Sequence, residues 1–426
     1  MTHLTAAAKL SRFQLVILII CFIMNMCDGM NVMIISYSTN AISKEWFLAP
    51  GSFGIVFSAG LLGMAIGAMV LAPRADMIGR KPMILICAIW MSVGVLLTAF
   101  AKTISVLIML RFFTGLGIGS MLACSSAMAS EYAPKKTKDF WVSFVMAGYS
   151  AGAVFSGLAA PSLIGNHGWR SLFLFAAIST MITIPCIIFI LKESVAYLIE
   201  SQPARALERA NRILIASHQS PLSVLPEKKS LVSKISVNSL FQPPLKKSTI
   251  LLWFCFFLSF AALYFLTSWI PKIASLTGMS PSLSISAGMF FNVGAFAGIL
   301  TQGFLSEKFG LKKVICVFLI ATAVCMPLIG LLKDPVVLLI LFCLIGFGVQ
   351  GGFTGLYSVA AKLYETSMRS TGIGWAIGVG RLGAIIGPFL GGVLLGKTSL
   401  ALNFSLFAIP LCIAGVLLLF IRLNEK

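Results

Sequence analysis

The stretch Ala72-Pro73-Arg74-Ala75-Asp76-Met77-Ile78-Gly79-Arg80-Lys81 joins two long apolar runs. A weaker copy, Ser306-Glu307-Lys308-Phe309-Gly310-Leu311-Lys312-Lys313, joins another such pair. Asp76 aligns with Glu307 and Gly79 with Gly310 at one spacing, 231 residues. The same shift carries Gly115 and Gly117 of GLGIG onto Gly346 and Gly348 of GFGVQ, and Gly152 onto Gly383. One offset relating separate places implies two related halves.

Of the 426 residues, 58% are hydrophobic and 11% charged, whereas a soluble domain carries about 25% charged residues. A bilayer core takes roughly 20 apolar residues per helix. Twelve such runs lie near 13–37, 52–73, 83–100, 104–131, 140–163, 171–191, 249–270, 283–305, 314–332, 335–361, 372–395 and 400–421. The expected fold is therefore an all-α membrane protein with twelve transmembrane helices in two pseudo-symmetric six-helix halves. No small-residue cleavage site follows a short apolar core, so a cleaved signal peptide is not expected. The expected division is residues 1–191 and 249–426 for the halves, with a polar central loop at 192–248.

The net charge of +19 does not point to nucleic acid. With the N-terminus inside, 24 lysines and arginines fall on inside segments and six outside. The positive-inside rule then places both termini in the cytoplasm of a cell membrane, here a bacterial inner membrane. All ten cysteines lie within apolar runs, and His3, His167 and His218 lie in the tail or loops. Neither type is spaced for a metal or redox site. No cofactor is expected, and the absence of a nucleophile–base constellation argues against an enzyme.

Ionisable residues inside a span cost at least ~2.5–3.5 kcal/mol and are functional candidates by default. Asp28, Arg111, Glu131 and Arg381 are the ones that stand well inside or at the edge of a run. Asp28 lies nine residues from the outer end of its run and Arg111 seven residues into its own, roughly 13 and 10 Å down at 1.5 Å per residue. An acid and a base at matching depth can neutralise each other, and a static ion pair is the alternative to a coupling role. Arg381 has only Ser150 at the equivalent position of the first half. A guanidinium without a counterpart fits bidentate binding of an anion.

Asn31 shares the helical face of Asp28. With Tyr264, Trp269, Gln350 and Tyr357 it is a candidate to face a substrate cavity, with lipid or packing contact the alternative for each. Asp76, Gly79, Arg80, Lys81 and Glu131, and in the second half Glu307, Glu365 and Arg369, form two expected charge networks at helix ends. Charge at helix termini can hold one conformation shut, as a gate. Glycines crowd three runs (Gly60, Gly63, Gly67; Gly115, Gly117, Gly119; Gly374, Gly378, Gly383, Gly387), as close helix packing requires.

The loop at 72–81 and its echo resemble the loop signature of the major facilitator superfamily, with Ala72 for the usual leading glycine and Met77 for the usual arginine. Four further stretches resemble its aromatic acid:proton symporter family. They are Asp28-Gly29-Met30-Asn31 with Glu45-Trp46; Arg111 through Gly119 with Glu131-Tyr132-Ala133-Pro134; Ser268-Trp269-Ile270-Pro271; and Gly380-Arg381 through Gly387-Pro388. Sugar porters share Glu193-Ser194. The resemblance implies uptake of a benzoate-like carboxylate with a proton, using Asp28, Arg111 and Glu131, by a chain acting as a monomer. It departs at Asn31, where the family carries a second acid. Expected partners are a small organic anion, a proton and the lipid bilayer. The competing readings are a proton-driven exporter, a sugar or other solute porter, and a sensor that has lost transport. The Gly-Pro pattern stands in the eleventh run rather than the fifth, which favours import.

Overall fold

The computed structural model describes residues 10–134, 137–226, 237–364, 368–395 and 397–423. Among them are twelve helices long and apolar enough to cross a membrane: α1 Arg12–Trp46, α2 Gly51–Arg74, α3 Arg80–Ala99, α4 Ile104–Tyr132, α5 Phe140–His167, α6 Trp169–Phe189, α7 Leu245–Leu276, α8 Pro281–Phe309, α9 Leu311–Gly330, α10 Pro335–Leu363, α11 Gly372–Leu395 and α12 Leu400–Leu419. Side-chain caps set several of the starts. Ser11 and Gln14 form a reciprocal box at α1, and Thr103, Ser280, Asp334 and Ser399 accept from the first-turn amides of α4, α8, α10 and α12. Each cap satisfies amides that the helix itself leaves unpaired.

α1 departs from the sequence expectation. Its apolar run ends near residue 37, yet the helix continues to Trp46. In the extension Thr39 and Asn40 are bonded within the protein. Thr39 Oγ1 donates to the Ile35 carbonyl at 2.9 Å, and Ser36 and Asn40 donate to α7. The helix therefore outlasts the apolar run from which the depth of Asp28 was counted.

Within the first six helices α1 packs on α5, α2 on α4, and α3 on α4 and α6. The last six repeat this as α7 on α11, α8 on α10, and α9 on α10 and α12. The closest approaches recur at the 231-residue offset. Gly63 lies against the Phe112 carbonyl and Gly294 against that of Cys343; Gly152 lies against that of Met26 and Gly383 against that of Phe257. A Cβ at any of these would collide with backbone, so the glycines let the axes close in. Gly374 and Gly378 differ from the expectation, since open space surrounds both.

The two sets of helices meet along α2 with α11, α5 with α8, and α1 with α7. The first and last described stretches of the chain lie at one end of the bundle. Phe13 packs on Tyr132 at the end of α4, and the Arg422 amide donates to Ser248 at the start of α7. Among the described residues, the hydrogen bonds joining the two sets all lie toward the opposite, distal end. Ser36 Oγ donates to the carbonyls of Thr267 (3.2 Å) and Ser268 (2.6 Å), Asn40 Nδ2 to that of Pro271 (3.4 Å), and Ser58 Oγ to that of Ile385 (2.7 Å). At the distal end a Cβ on Gly54 would also stand 3.2 Å from the carbonyls of Pro388 and Phe389. The bundle is thus sealed distally.

Between α6 and α7 two short helices, Val195–Ser201 and Ala206–Ala216, lie against the terminal end. The second buries Ala206, Ala210, Ile213 and Leu214 and exposes Arg205, Arg209 and Arg212.

Candidate substrate and coupling site

α1 and α4 bring Asp28, Asn31 and Arg111 into the interior of the first half, where all three are buried. The static Asp28–Arg111 ion pair, the alternative to a coupling role, does not form among the described residues. Arg111 Nη2 donates to the backbone carbonyl of Asn31 at 2.7 Å, while its Nη1 has no partner among the described residues. Both carboxyl oxygens of Asp28 are also without one. Height along a helix does not fix the direction in which a side chain leaves it, and the Asn31 carbonyl takes the guanidinium instead. The Asn31 side chain turns to α6, donating to Thr180 Oγ1 at 3.4 Å.

Arg111 borders a cavity of about 30 Å³ whose wall includes Val32, Phe57, Gly60, Tyr264 and Ser268. That volume holds water rather than an aromatic ring, so a larger ligand requires the helices to part. The wall joins the two sets of helices: Arg111 comes from α4, Tyr264 and Ser268 from α7.

The second half contributes an aromatic bed under a cation. Phe260 stacks on Tyr264 (5.8 Å between centroids) and meets Phe353 edge-on at 4.5 Å; Phe353 in turn meets Tyr357 at 5.5 Å. The Arg381 guanidinium lies over Phe260 at 5.8 Å. Its Nε and Nη1 are buried without hydrogen-bond partners among the described residues. Gln350 is half-buried and, three residues before Phe353 and seven before Tyr357, shares their helical face. Trp269 is committed to packing. It is wholly buried, its indole N–H donates to the Pro388 carbonyl at 2.9 Å, and its ring meets Phe57 edge-on.

Glu131 stands near the end of α4. It forms an ion pair with Arg80, one of the residues expected to gate, and accepts from the Ser194 hydroxyl. Gly79 turns the chain at φ +107° and opens α3, whose first amides, those of Arg80 and Lys81, donate to Glu193 Oε1 at 2.9 and 3.2 Å. A carboxylate there complements the positive end of the helix. Lys81 Nζ donates to the Ile188 carbonyl near the end of α6 at 2.7 Å. Lys312, its counterpart, donates to the carbonyls of Leu419 (3.4 Å) and Ile421 (3.0 Å) at the end of α12.

The second network is only partly visible. Glu365 lies outside the described residues, as do the side chains of Asp76 and Arg369. Glu307 makes no ion pair among the described residues.

Glu193, Phe260 and Phe353 were not assigned to these arrangements from sequence. Glu193 is a loop acid distant in sequence from the turn it caps. Phe260 and Phe353 are apolar residues among many.

Comparison with known proteins agrees with this architecture. The sequence matches the Major Facilitator Superfamily over residues 20–302 and 252–426. It is 31% identical to the 4-hydroxybenzoate transporter PcaK of Acinetobacter baylyi, over 96% of this chain and 91% of that one. It is 30% identical to the benzoate transport protein of the same organism (98% and 91%) and 28% identical to the gallate transporter of Pseudomonas putida (96% and 92%). Among solved structures, the inward-open xylose transporter XylE from E. coli superposes with a TM-score of 0.76 over 97% of each chain at 14% identity, a likeness of fold. These relatives are membrane transporters, not enzymes. The chain belongs to the Major Facilitator Superfamily and, within it, resembles the aromatic acid:proton symporter family.

Proposed function

We propose that the protein is a proton-coupled importer of small aromatic carboxylates, working by alternating access between halves that divide at the segment 192–248. The observation that carries this reading is a fully buried carboxyl, Asp28, with both oxygens unpartnered in the same half as a cavity-lining guanidinium that is only half satisfied. An unpaired charge in a low-dielectric interior is costly, and a proton on Asp28 removes it. A carboxylate from outside supplies what the spare N–H groups of Arg111 and Arg381 need. The ring then rests among Tyr264, Phe353 and Tyr357, whose faces and edges suit aromatic contact. The 4-hydroxybenzoate, benzoate and gallate carried by the relatives have this build.

Arg80, Glu131 and Glu193 tie the ends of α3, α4 and α6 into one rigid latch. This latch stands at the end of the bundle opposite the distal seal. The positive-inside count makes that the cytoplasmic side of a bacterial inner membrane, where the protein acts as a monomer. The test is uptake of radiolabelled benzoate and 4-hydroxybenzoate into proteoliposomes under an imposed pH gradient. Accumulation that collapses with a protonophore supports the reading. Uptake that ignores the gradient removes the proton from it, and efflux driven by the gradient reverses its direction.

A further inference from the structure

Asn31 stands between the two groups that coupling needs. Its backbone carbonyl accepts from Arg111 Nη2 at 2.7 Å. Its side chain is wholly buried on α1 three residues after Asp28, which is wholly buried too. Residues at that spacing share a helical face, and helical side chains lean toward the N-terminus, onto the residue three or four places earlier. Asn31 therefore leans onto Asp28. Its amide nitrogen donates to Thr180 Oγ1 of α6 at 3.4 Å, which anchors the amide and leaves Oδ1 as its free end. That oxygen has no hydrogen-bond partner among the described residues, and neither has either oxygen of Asp28.

While Asp28 is ionised, these oxygens are acceptors only and cannot bond to one another. A proton on Asp28 turns one of its oxygens into a donor, and a single bond to Asn31 Oδ1 then satisfies both residues. Arg111 Nη1 does not meet the need. It is unpartnered itself, so it is bonded to neither side chain, and Arg111 lines the cavity. Asn25, three residues before Asp28, also has a free buried oxygen. Its amide nitrogen, however, donates to the Cys21 carbonyl (3.0 Å) and to Ser125 Oγ (2.9 Å), which turns that side chain toward the preceding turn and away from Asp28. The charged group facing this stretch of α1 is Arg111 of α4. The other titratable groups around it are Tyr149 of α5, whose carbonyl lies against Gly29, Tyr264 of α7 in the cavity wall, Cys27 of α1 and Cys87 of α3. α6 faces it with Thr180, which does not titrate, and α2 and α8 carry charge only at their ends, in Arg74, Glu307 and Lys308.

We infer that Asn31 is the positioning residue of the coupling: its side-chain oxygen accepts the hydrogen bond of protonated Asp28, while its backbone carbonyl holds Arg111 for the substrate carboxylate. This rests on the transport reading and deepens it. One residue thereby meets the proton and the anion through two different bonds, with no ion pair between Asp28 and Arg111.

The experiment measures initial uptake of radiolabelled benzoate into proteoliposomes of the full-length protein across a series of external pH values. Asn31→Leu keeps the bulk and the backbone carbonyl and removes the acceptor. A hydrogen bond to the protonated form favours that form. Losing one of ordinary strength lowers proton affinity about tenfold, so the pH of half-maximal uptake should fall by about one unit, with the rate recovering at low pH. A merely structural role would lower the rate at every pH without moving the midpoint, and that outcome overturns the inference. A midpoint moved by Asn25→Leu and not by Asn31→Leu overturns it as well. Both results leave the transport reading intact. Wild-type protein whose uptake of benzoate and its hydroxylated analogues ignores pH overturns both. Thr180→Val frees the Asn31 amide from its anchor and should move the midpoint in the same direction. It decides the matter should the leucine variant not purify, an unmoved midpoint then overturning the inference.

Discussion

Ser36 donates its hydroxyl to the carbonyl of Thr267, the residue that stands 231 positions later and is its own counterpart in the second half. Asn40 does the same to Pro271, again 231 positions on. Residues bonded to their own equivalents lie on the pseudo-two-fold axis, so α1 and α7 cross there. The crossing is also where the halves are closed. Any motion that opens the distal end must break these bonds, and Ser36 acts on the cavity-lining stretch Thr267–Ser268 directly.

Ser36→Ala should favour distal opening. Losing a hydrogen bond of ordinary strength, about 1 kcal/mol net, shifts a two-state balance roughly fivefold. Amide hydrogen exchange read by mass spectrometry should accelerate in peptides spanning 36–40 and 267–271. Unchanged exchange in both would mean that the seal does not rest on this contact.

Asp28→Asn replaces a buried, unpartnered carboxyl with a neutral group of similar shape. Concentrative uptake driven by a pH gradient should be lost, whereas counterflow exchange of labelled for unlabelled substrate should persist. Stability in detergent should hold or rise, because no partner is stranded. A variant that still accumulates substrate with the gradient excludes Asp28 as the coupling acid.

Gly79 and Gly310 occupy equivalent turns at φ +107° and +90°, a region in which a side chain costs of order 1–3 kcal/mol. They differ in surroundings: a Cβ on Gly79 would run into the Glu193 carboxylate, whereas nothing lies within 4 Å of one on Gly310. Gly79→Ala should therefore lower the unfolding temperature more than Gly310→Ala and slow turnover as well. Equal losses in thermal unfolding would show that Glu193 tolerates displacement.

Glu131→Gln keeps the shape of the side chain but removes the charge facing Arg80. With both side chains about one-fifth exposed, the pair is screened only in part, and a stability loss of about 1–2 kcal/mol is expected. Turnover should fall with little change in benzoate affinity, because the latch is remote from the cavity. A matching rise in Kd would place Glu131 in the binding site instead.

Arg111→Lys and Arg381→Lys retain charge and lose the planar fork. Each should weaken benzoate binding about tenfold while benzamide binding changes little. If only one of them does so, the other guanidinium serves packing, which for Arg381 would mean its contact with Phe260.

The sequence by itself determined the number of spans, their pairing into two repeats and the turns that join them. Hydropathy is a property of a local window, and a repeat offset survives as long as equivalent contacts are kept: Lys81 on Ile188 and Lys312 on Leu419 are related by the same 231 residues. It also singled out Asp28, Arg111 and Arg381, because charge in an apolar run is conspicuous whatever the packing. Tertiary structure alone decided which groups meet. Asp28 and Arg111 look like a pair when counted from the ends of apolar runs. Yet the Asn31 carbonyl takes the guanidinium. Glu131 went to Arg80, and Glu193 to the first amides of α3. Direction around a helix axis, and the neighbour waiting in that direction, are set by how twelve helices pack, and no linear window contains that information.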